Sequence, residues 1–228
     1  MATTDANVDW RSIEAPRYFV SWSGGKDSCL ALHRAMRRWG RPAHLVNMLT
    51  EDGVHSRSHG LPVSLLNAQA EAIGVPISYR CTTWEDYETQ FVDCLQELQA
   101  QGVSAGVFGD IDLQVHWDWE QSVCAQADMV AVEPLWQAAH ADLVGEFLAA
   151  GFAAMIVTVD LSAVPESFLG RDFSAETVAE LEARGVDPSG EGGEFHTVVL
   201  DGPIFRQRVP YEILGIHRAG NHATLELR

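Results

Sequence analysis

Short apolar runs alternate with amphipathic stretches over the first two thirds of the chain. Apolar runs bounded by glycine, proline or polar clusters read as buried strands, and apolar positions three or four apart read as helices. On that basis residues 18–22, 43–49, 77–81, 105–108, 129–132 and 153–159 are predicted strands. Helices are predicted at 26–38, 61–73, 84–100, 113–125 and 143–149. Leu30, Ala31 and Ala35 mark one face of the first helix, and Gly40 is its stop. Tyr87, Phe91, Leu95 and Leu98 form a core-facing stripe on the third. The rhythm specifies an α/β fold with a doubly wound, mostly parallel sheet covered by helices on both faces.

The pattern changes near Pro134. Beyond it come one more helical segment at 175–183, a glycine-rich loop, and strands at 195–200, 211–218 and 222–227. The expected organisation is a loose arm over 1–16, a nucleotide-binding domain over 17–135 and a smaller α+β domain over 136–228.

Composition narrows the function classes. With 46% hydrophobic and 21% charged residues, the chain reads as an ordinary globular protein. It has neither an apolar run long enough for a membrane span nor a secretory signal pattern, so a cytoplasmic protein is expected. The four cysteines, Cys29, Cys81, Cys94 and Cys124, form no Cys-x-x-Cys pair. They read as small buried hydrophobes in a reducing compartment. The net charge of −17 weighs against nucleic acid as the main partner. It leaves ATP open, since a local cluster of donors suffices to hold a phosphate.

Such a cluster is Ser23-Gly24-Gly25-Lys26-Asp27-Ser28, between the first strand and the first helix, with Ser21 closing the strand. Ligands of open parallel sheets bind at the carboxyl ends of strands, where a helix start offers free amides and partial positive charge. Two adjacent glycines let the backbone approach an anion, the serines donate hydroxyls and Lys26 adds a mobile charge. The spacing is neither that of a Walker A loop nor that of a dinucleotide fingerprint. Gly109-Asp110 ends a later strand at the same sheet edge, where Gly109 permits close backbone approach and Asp110 could bind metal or ribose; a structural turn is the alternative.

A second unusual segment, Gly190-Glu191-Gly192-Gly193-Glu194-Phe195-His196-Thr197, concentrates backbone freedom and charge just before an apolar strand. It reads as a substrate or ammonia site with Glu191 and Glu194 as ligands or bases, or else as a solvated turn. His55 and His59 sit in a loop with Gly53 and Gly60. Arg57 and His59 are candidates for contacting a phosphate or an acceptor, and His196 faces either the cleft or the sheet surface. The acidic positions Asp112, Asp118 and Glu120 read as a solvated face.

The hexad resembles the loop of the PP-loop ATP pyrophosphatases, members of the HUP-type adenine nucleotide α-hydrolase fold. Ser23 to Ser28 would then hold the β,γ-pyrophosphate while the α-phosphate is attacked, and Asp27, with Asp110, would hold Mg²⁺. Asn47, Met48 and Leu49 would seat the adenine, although Met48 reads equally as a core residue. With the later Gly-Glu-Gly-Gly-Glu, Leu200-Asp201-Gly202-Pro203, Pro134-Leu135-Trp136 and Leu169-Gly170, the chain is similar to the diphthine–ammonia ligase family over about residues 18–206.

That resemblance implies ATP and Mg²⁺, adenylation of a carboxylate acceptor with release of pyrophosphate, then amide formation with ammonia or an amine. Catalysis would rest on Lys26, Asp27, Glu191 and Glu194. Substrate contacts would come from Arg57, His59, Gly192, Gly193, His196 and Thr197. A homodimer is compatible with this reading. The chain departs from the expected family pattern at His196-Thr197, at Gly109-Asp110-Ile111 and over 56–60, in the loops facing the acceptor. A tRNA-modifying PP-loop enzyme and an adenine-nucleotide sensor without turnover are the alternatives; the acidic charge opposes the first.

Overall fold

A computed structural model of the chain describes residues 10–228; the first part of the expected arm, 1–9, lies outside the described residues. Strand β1 (Tyr18–Ser21) runs into helix α1 (Lys26–Trp39), followed by β2 (His44–Leu49), α2 (Val63–Ile73) and β3 (Ile77–Cys81). Helix α3 (Tyr87–Gln99) crosses back to β4 (Ala105–Val107), and α4 (Gln114–Gln126) leads to β5 (Val130–Val132). These five strands form one parallel sheet in the order β3-β2-β1-β4-β5. The order reverses between β1 and β4, which opens a crevice at their carboxyl ends.

The two-residue period of the strands sorts the core. Tyr18, Val20, Trp22, Leu45 and Leu49 join one buried cluster with residues of α1 and α2. Phe19, Val46 and Met48 join a second with residues of α3 and α4. Helices therefore cover both faces, as the sequence rhythm requires.

After α5 (His140–Ala149) the architecture changes. Strand β6 (Ala153–Asp160), helix α6 (Ala175–Glu182) and strands β7 (Phe195–Asp201), β8 (Ile213–Ala219) and β9 (His222–Leu227) complete the chain. The strands form an antiparallel sheet in the order β7-β6-β9-β8. The sequence rhythm places β6 in the parallel series; it is instead a central strand of the second sheet. A strand buried on both faces shows the same unbroken apolar run in either kind of sheet. Val157, Val159 and Val198 from the second sheet join the cluster that holds α1 and α2, so one core serves both sheets.

Element ends differ from expectation where capping intervenes. Helix α2 begins at Val63, after Pro62 in extended backbone. Helix α3 begins at Tyr87, because the Asp86 carboxylate accepts from the Thr83 amide and hydroxyl and closes a turn; Trp84 is left 72% exposed. Helix α5 starts at His140, three residues before the predicted start. Cys81 is exposed, whereas Cys29, Cys94 and Cys124 are buried.

One polar side chain joins the two halves. Gln69 on α2 is fully buried, and its Nε2 donates to the carbonyls of Gly24 (3.0 Å) and Val199 (2.8 Å). Its Oε1 accepts from Trp22 Nε1 at 3.0 Å. Gln69→Leu would leave the Trp22 indole N–H without its acceptor and take one donor each from the Val199 and Gly24 carbonyls, the latter keeping the Val199 amide. It should cost about 2 kcal/mol, at ~1–3 kcal/mol for an orphaned buried group. Urea denaturation of the two proteins measures the difference; a loss below about 1 kcal/mol would show that water replaces the bracket.

Candidate active site

The turn after β1 has its shape because glycine occupies its two critical positions. Gly24 has φ +79°, and a Cβ there would lie 2.5 Å from Gln69 Oε1. At Gly25 a Cβ would lie 2.8 Å from His59 Nε2 and 3.1 Å from the Thr197 carbonyl. Gly25 caps α1 without a side-chain hydrogen bond, so the positive end of the helix dipole faces the turn. Ser23 Oγ accepts from the Gly25 amide at 3.2 Å and donates to Ser28 Oγ at 3.0 Å.

The second sheet supplies the other side. The Lys26 amide donates to Thr197 Oγ1 at 3.1 Å, and the Val199 amide donates to the Gly24 carbonyl at 3.0 Å. Two segments 171 positions apart thus meet at one corner. The Lys26 ammonium, largely buried, donates to Asp27 Oδ2 at 2.7 Å and to the carbonyl of Ser189.

A cavity of about 480 Å³ opens over this corner. It is lined by Ser21, Ser23, Lys26, Asp27 and Ser28 from the turn, Asn47 and Met48 from β2, and Gly109 and Asp110 beyond β4. Arg57 and His59 line it from the loop after β2, and Glu191, Gly193, His196 and Thr197 from the glycine-rich segment and β7. Most of the residues singled out in the sequence are therefore brought together. Gly24 and Gly25 shape the turn from behind. Leu49 packs in the core and turns its carbonyl to Thr82. Gly192 is exposed, and a Cβ there would meet the Glu194 carboxylate at 2.7 Å. Leu49, Gly192 and Glu194 are absent from the cavity wall.

Several groups in the cavity are electrostatically unusual. Asn47 Nδ2 donates to the Trp22 carbonyl at 2.7 Å, while its buried Oδ1 has no protein partner. Burial, opposed by Lys26 and reinforced by Asp110, holds the Asp27 carboxyl above its usual range. Burial pushes Asp110 the same way, but hydrogen bonds with His116 (2.6 Å) and Glu120 bring it below the usual range. Glu191 is raised to about 7 by burial and the Asp27 charge, against the pull of Lys26.

The imidazoles of His59 and His196 lie 4.5 Å apart, tilted by 34°. Burial, His196 and Lys26 hold His59 well below its usual value; burial, Lys26 and His222 bring His196 to about 4. Both rings are neutral at pH 7. Arg57 donates from Nε to Thr82 Oγ1 at 3.1 Å, with its guanidinium 5.0 Å from the Trp84 ring centre.

Gly109 is placed by contact: a Cβ there would come 2.9 Å from the Ser28 amide nitrogen, so only a glycine lets the β4 end press on the first turn of α1. Asp27 and Asp110 both face the cavity, with like charges that destabilise each other. A carboxylate pair of this kind suits Mg²⁺, which takes one or two protein carboxylates and fills its shell with water and phosphate oxygens. Among the described residues no three His, Cys, Asp or Glu side chains form a metal cage on their own.

Glu120 corrects the sequence reading. It is 3% exposed, not part of a solvated face, and its Oε2 has no partner. Burial and the neighbouring Asp110 and Glu133 push its carboxyl well above the usual range. Its position three and four residues before the buried Val123 and Cys124 was the available signal. Gln69, three and four residues after Leu66 and Leu65 on an apolar stripe, carried the same kind of signal. His140 was also missed; its spacing marks nothing.

The model for the diphthamide synthase N-terminal domain matches residues 16–131, and that for the diphthamide synthase C-terminal domain matches residues 139–223. The chain is 27% identical over 216 residues to a diphthine–ammonia ligase of Rattus norvegicus, covering 82% of this chain and 79% of that protein. To the Homo sapiens protein of the same name it is 26% identical over 215 residues, with the same coverage. A crystal structure titled as a predicted subunit of tRNA methyltransferase from Methanocaldococcus jannaschii aligns with 80% of this chain and 95% of its own. The TM-score is 0.45 at 20% identity, too low to bear on activity.

The buried carboxyl cluster sets a pH dependence. Glu133 is raised from 4.5 to about 7, mainly by burial. Between those values the folded chain holds a proton that the unfolded chain has released, so stability falls as pH rises through this window. Glu133→Gln removes the ionisation and keeps a hydrogen-bonding side chain. Between pH 5 and 8 the wild type should lose on the order of 1–3 kcal/mol more than the variant. Denaturation midpoints at both pH values test this; equal slopes for the two proteins would refute it.

Proposed function

Because the chain belongs to the diphthamide synthase family, we infer that it is an ATP-dependent carbon–nitrogen ligase. The observation that carries this reading is the meeting of the Ser23–Ser28 turn with the glycine-rich segment and β7 around one cavity, through the Lys26 amide and Thr197 Oγ1. On this reading residues 17–135 bind ATP, residues 136–228 bind the acceptor, and the protein works in the cytoplasm.

The turn and the start of α1 grip the terminal phosphates, with the Lys26 ammonium as their counter-charge. The orphaned Asn47 Oδ1 offers an acceptor to a donor of the nucleoside. Asp27 and Asp110 would hold Mg²⁺, which neutralises charge on the departing pyrophosphate. A carboxylate oxygen of the acceptor attacks the α-phosphorus, and the bond to the bridging oxygen breaks to release pyrophosphate. Ammonia or an amine then attacks the acyl carbon; AMP leaves with the electron pair of the acyl–oxygen bond, and the nitrogen gives up a proton. Glu191, raised to about 7 within the cavity, takes that proton. His59, His196 and Arg57 face the acceptor side, where neutral imidazoles donate or accept without repelling Lys26.

The direct test incubates the protein with ATP, Mg²⁺, ammonium and a panel of carboxylic acids and separates the nucleotides. AMP and pyrophosphate are expected; ADP as the product rejects the assignment. Lys26→Met should lower AMP formation by about 100-fold or more, as expected for one pre-oriented electrostatic contact.

Glu191→Gln should lower turnover by about 100-fold and abolish the rising limb of the rate near pH 7, since only the ionised carboxylate accepts a proton. A variant that keeps that limb would remove Glu191 from the role of base.

A further inference from the structure

Lys26 is the only lysine in the chain; the remaining Lys and Arg positions are all arginine. Its ammonium is fixed from outside its own turn, by the carbonyl of Ser189. Ser189 lies between α6 and β7 in a segment without helix or strand, where Gly190 and Gly193 take φ values of +69° and +80°. Such a segment does not hold a carbonyl in place by itself.

What fixes it is a clamp centred on His140, the first residue of α5. Nδ1 of His140 lies 2.6 Å from Asp187 Oδ2, and Nε2 lies 3.1 Å from Asp112 Oδ2. Asp187 accepts from the Ser189 amide (2.9 Å) and from the Ser189 hydroxyl (2.8 Å), which also lies 3.0 Å from His140 Nδ1. Carboxylates at both ring nitrogens favour a proton on each, so, against burial, hydrogen bonding and charge raise the affinity of the ring for its second proton. One side chain thus ties the loop beyond β4 to the glycine-rich segment. Neither tie involves a group assigned above to ATP or to the acceptor.

We propose that His140 is a positioning residue: through Asp187 and Ser189 it holds the carbonyl that orients the Lys26 ammonium at the mouth of the phosphate turn. The proposal rests on the reading of that turn as an ATP site only for its consequence. The clamp itself is tested without ATP.

With a single lysine, acetylation by an N-hydroxysuccinimide ester, followed by mass spectrometry of the peptide containing residue 26, reports one side chain. His140→Ala and Asp187→Ala should each raise the acetylation rate of Lys26 about ten-fold, because labelling follows the population in which the ammonium is free. The double variant should label no faster than about two-fold above either single one, since both act on one network.

In the same proteins ATP should bind about five-fold more weakly, the cost of an ammonium that must be ordered on binding. A merely structural role would lower the unfolding midpoint and leave the labelling of the folded protein unchanged. Unchanged labelling in folded His140→Ala therefore overturns the proposal. If that variant does not fold, Asp112→Asn, which weakens one arm of the clamp, decides by the same criterion. A wild type that fails to bind ATP would defeat the ligase reading, while the labelling comparison would still decide the clamp.

Discussion

The carbonyl of Gly24 is held from two directions, by the Val199 amide of β7 and by the amide of Gln69 on α2, each at 3.0 Å. Most of the site follows from this fastening. The turn carries two adjacent glycines and would otherwise sample many backbone states. With its carbonyl fixed and the Lys26 amide on Thr197, it presents one conformation. Binding free energy is then not spent on ordering it, which is the benefit of preorganisation. The fastening also brings the glycine-rich segment over the mouth of the turn, so that Glu191 and the Ser189 carbonyl sit within reach of the lysine.

A chain of net charge −17 does not attract a triphosphate through its overall field. On the proposed reading, attraction is local and short-ranged, from the start of α1 at Gly25, which has no side chain to cap it, and from one ammonium, largely buried. Carboxylates surround both, and the structure separates them by environment. Asp110 is kept ionised by His116. Glu191, buried beside the Asp27 charge and without such hydrogen bonds, is raised to about 7. Glu120, buried between Asp110 and Glu133, is held well above the usual carboxylate range. Carboxyl groups with unequal proton affinities around one cavity allow one to hold a cation while another exchanges a proton.

The elements, and the strand-to-helix turn that carries the hexad, were legible because they depend on local signals. Alternating and helical periods locate the strands and helices, and the hexad at a strand-to-helix corner has few structural uses. What local signals do not carry was misread or missed. The period of β6 does not say which sheet it joins, because burial on both faces erases the alternation. Glu120 was grouped with Asp112 and Asp118 by charge, although its helical phase puts it beside Val123 and Cys124. The acceptance of the Lys26 amide by the Thr197 hydroxyl is a pairing set by tertiary structure alone. Gln69 and His140 act between elements far apart in sequence, and no spacing rule encodes such partners.

The sequence divides near Pro134, but the forces do not. One buried cluster runs from α1 and α2 through Phe147 of α5 to β6 and β7. The phosphate turn is closed by residues 197 and 199, and its lysine is held by residue 189. The Ser23–Ser28 turn therefore reaches this shape only when the second half has packed on it. On the proposed reading, an acceptor that displaces the glycine-rich segment would also disturb the lysine, because the Ser189 carbonyl next to that segment holds it. Coupling between the proposed acceptor and phosphate sites would then run through this shared residue, by contacts a few ångströms long, without a change in either sheet.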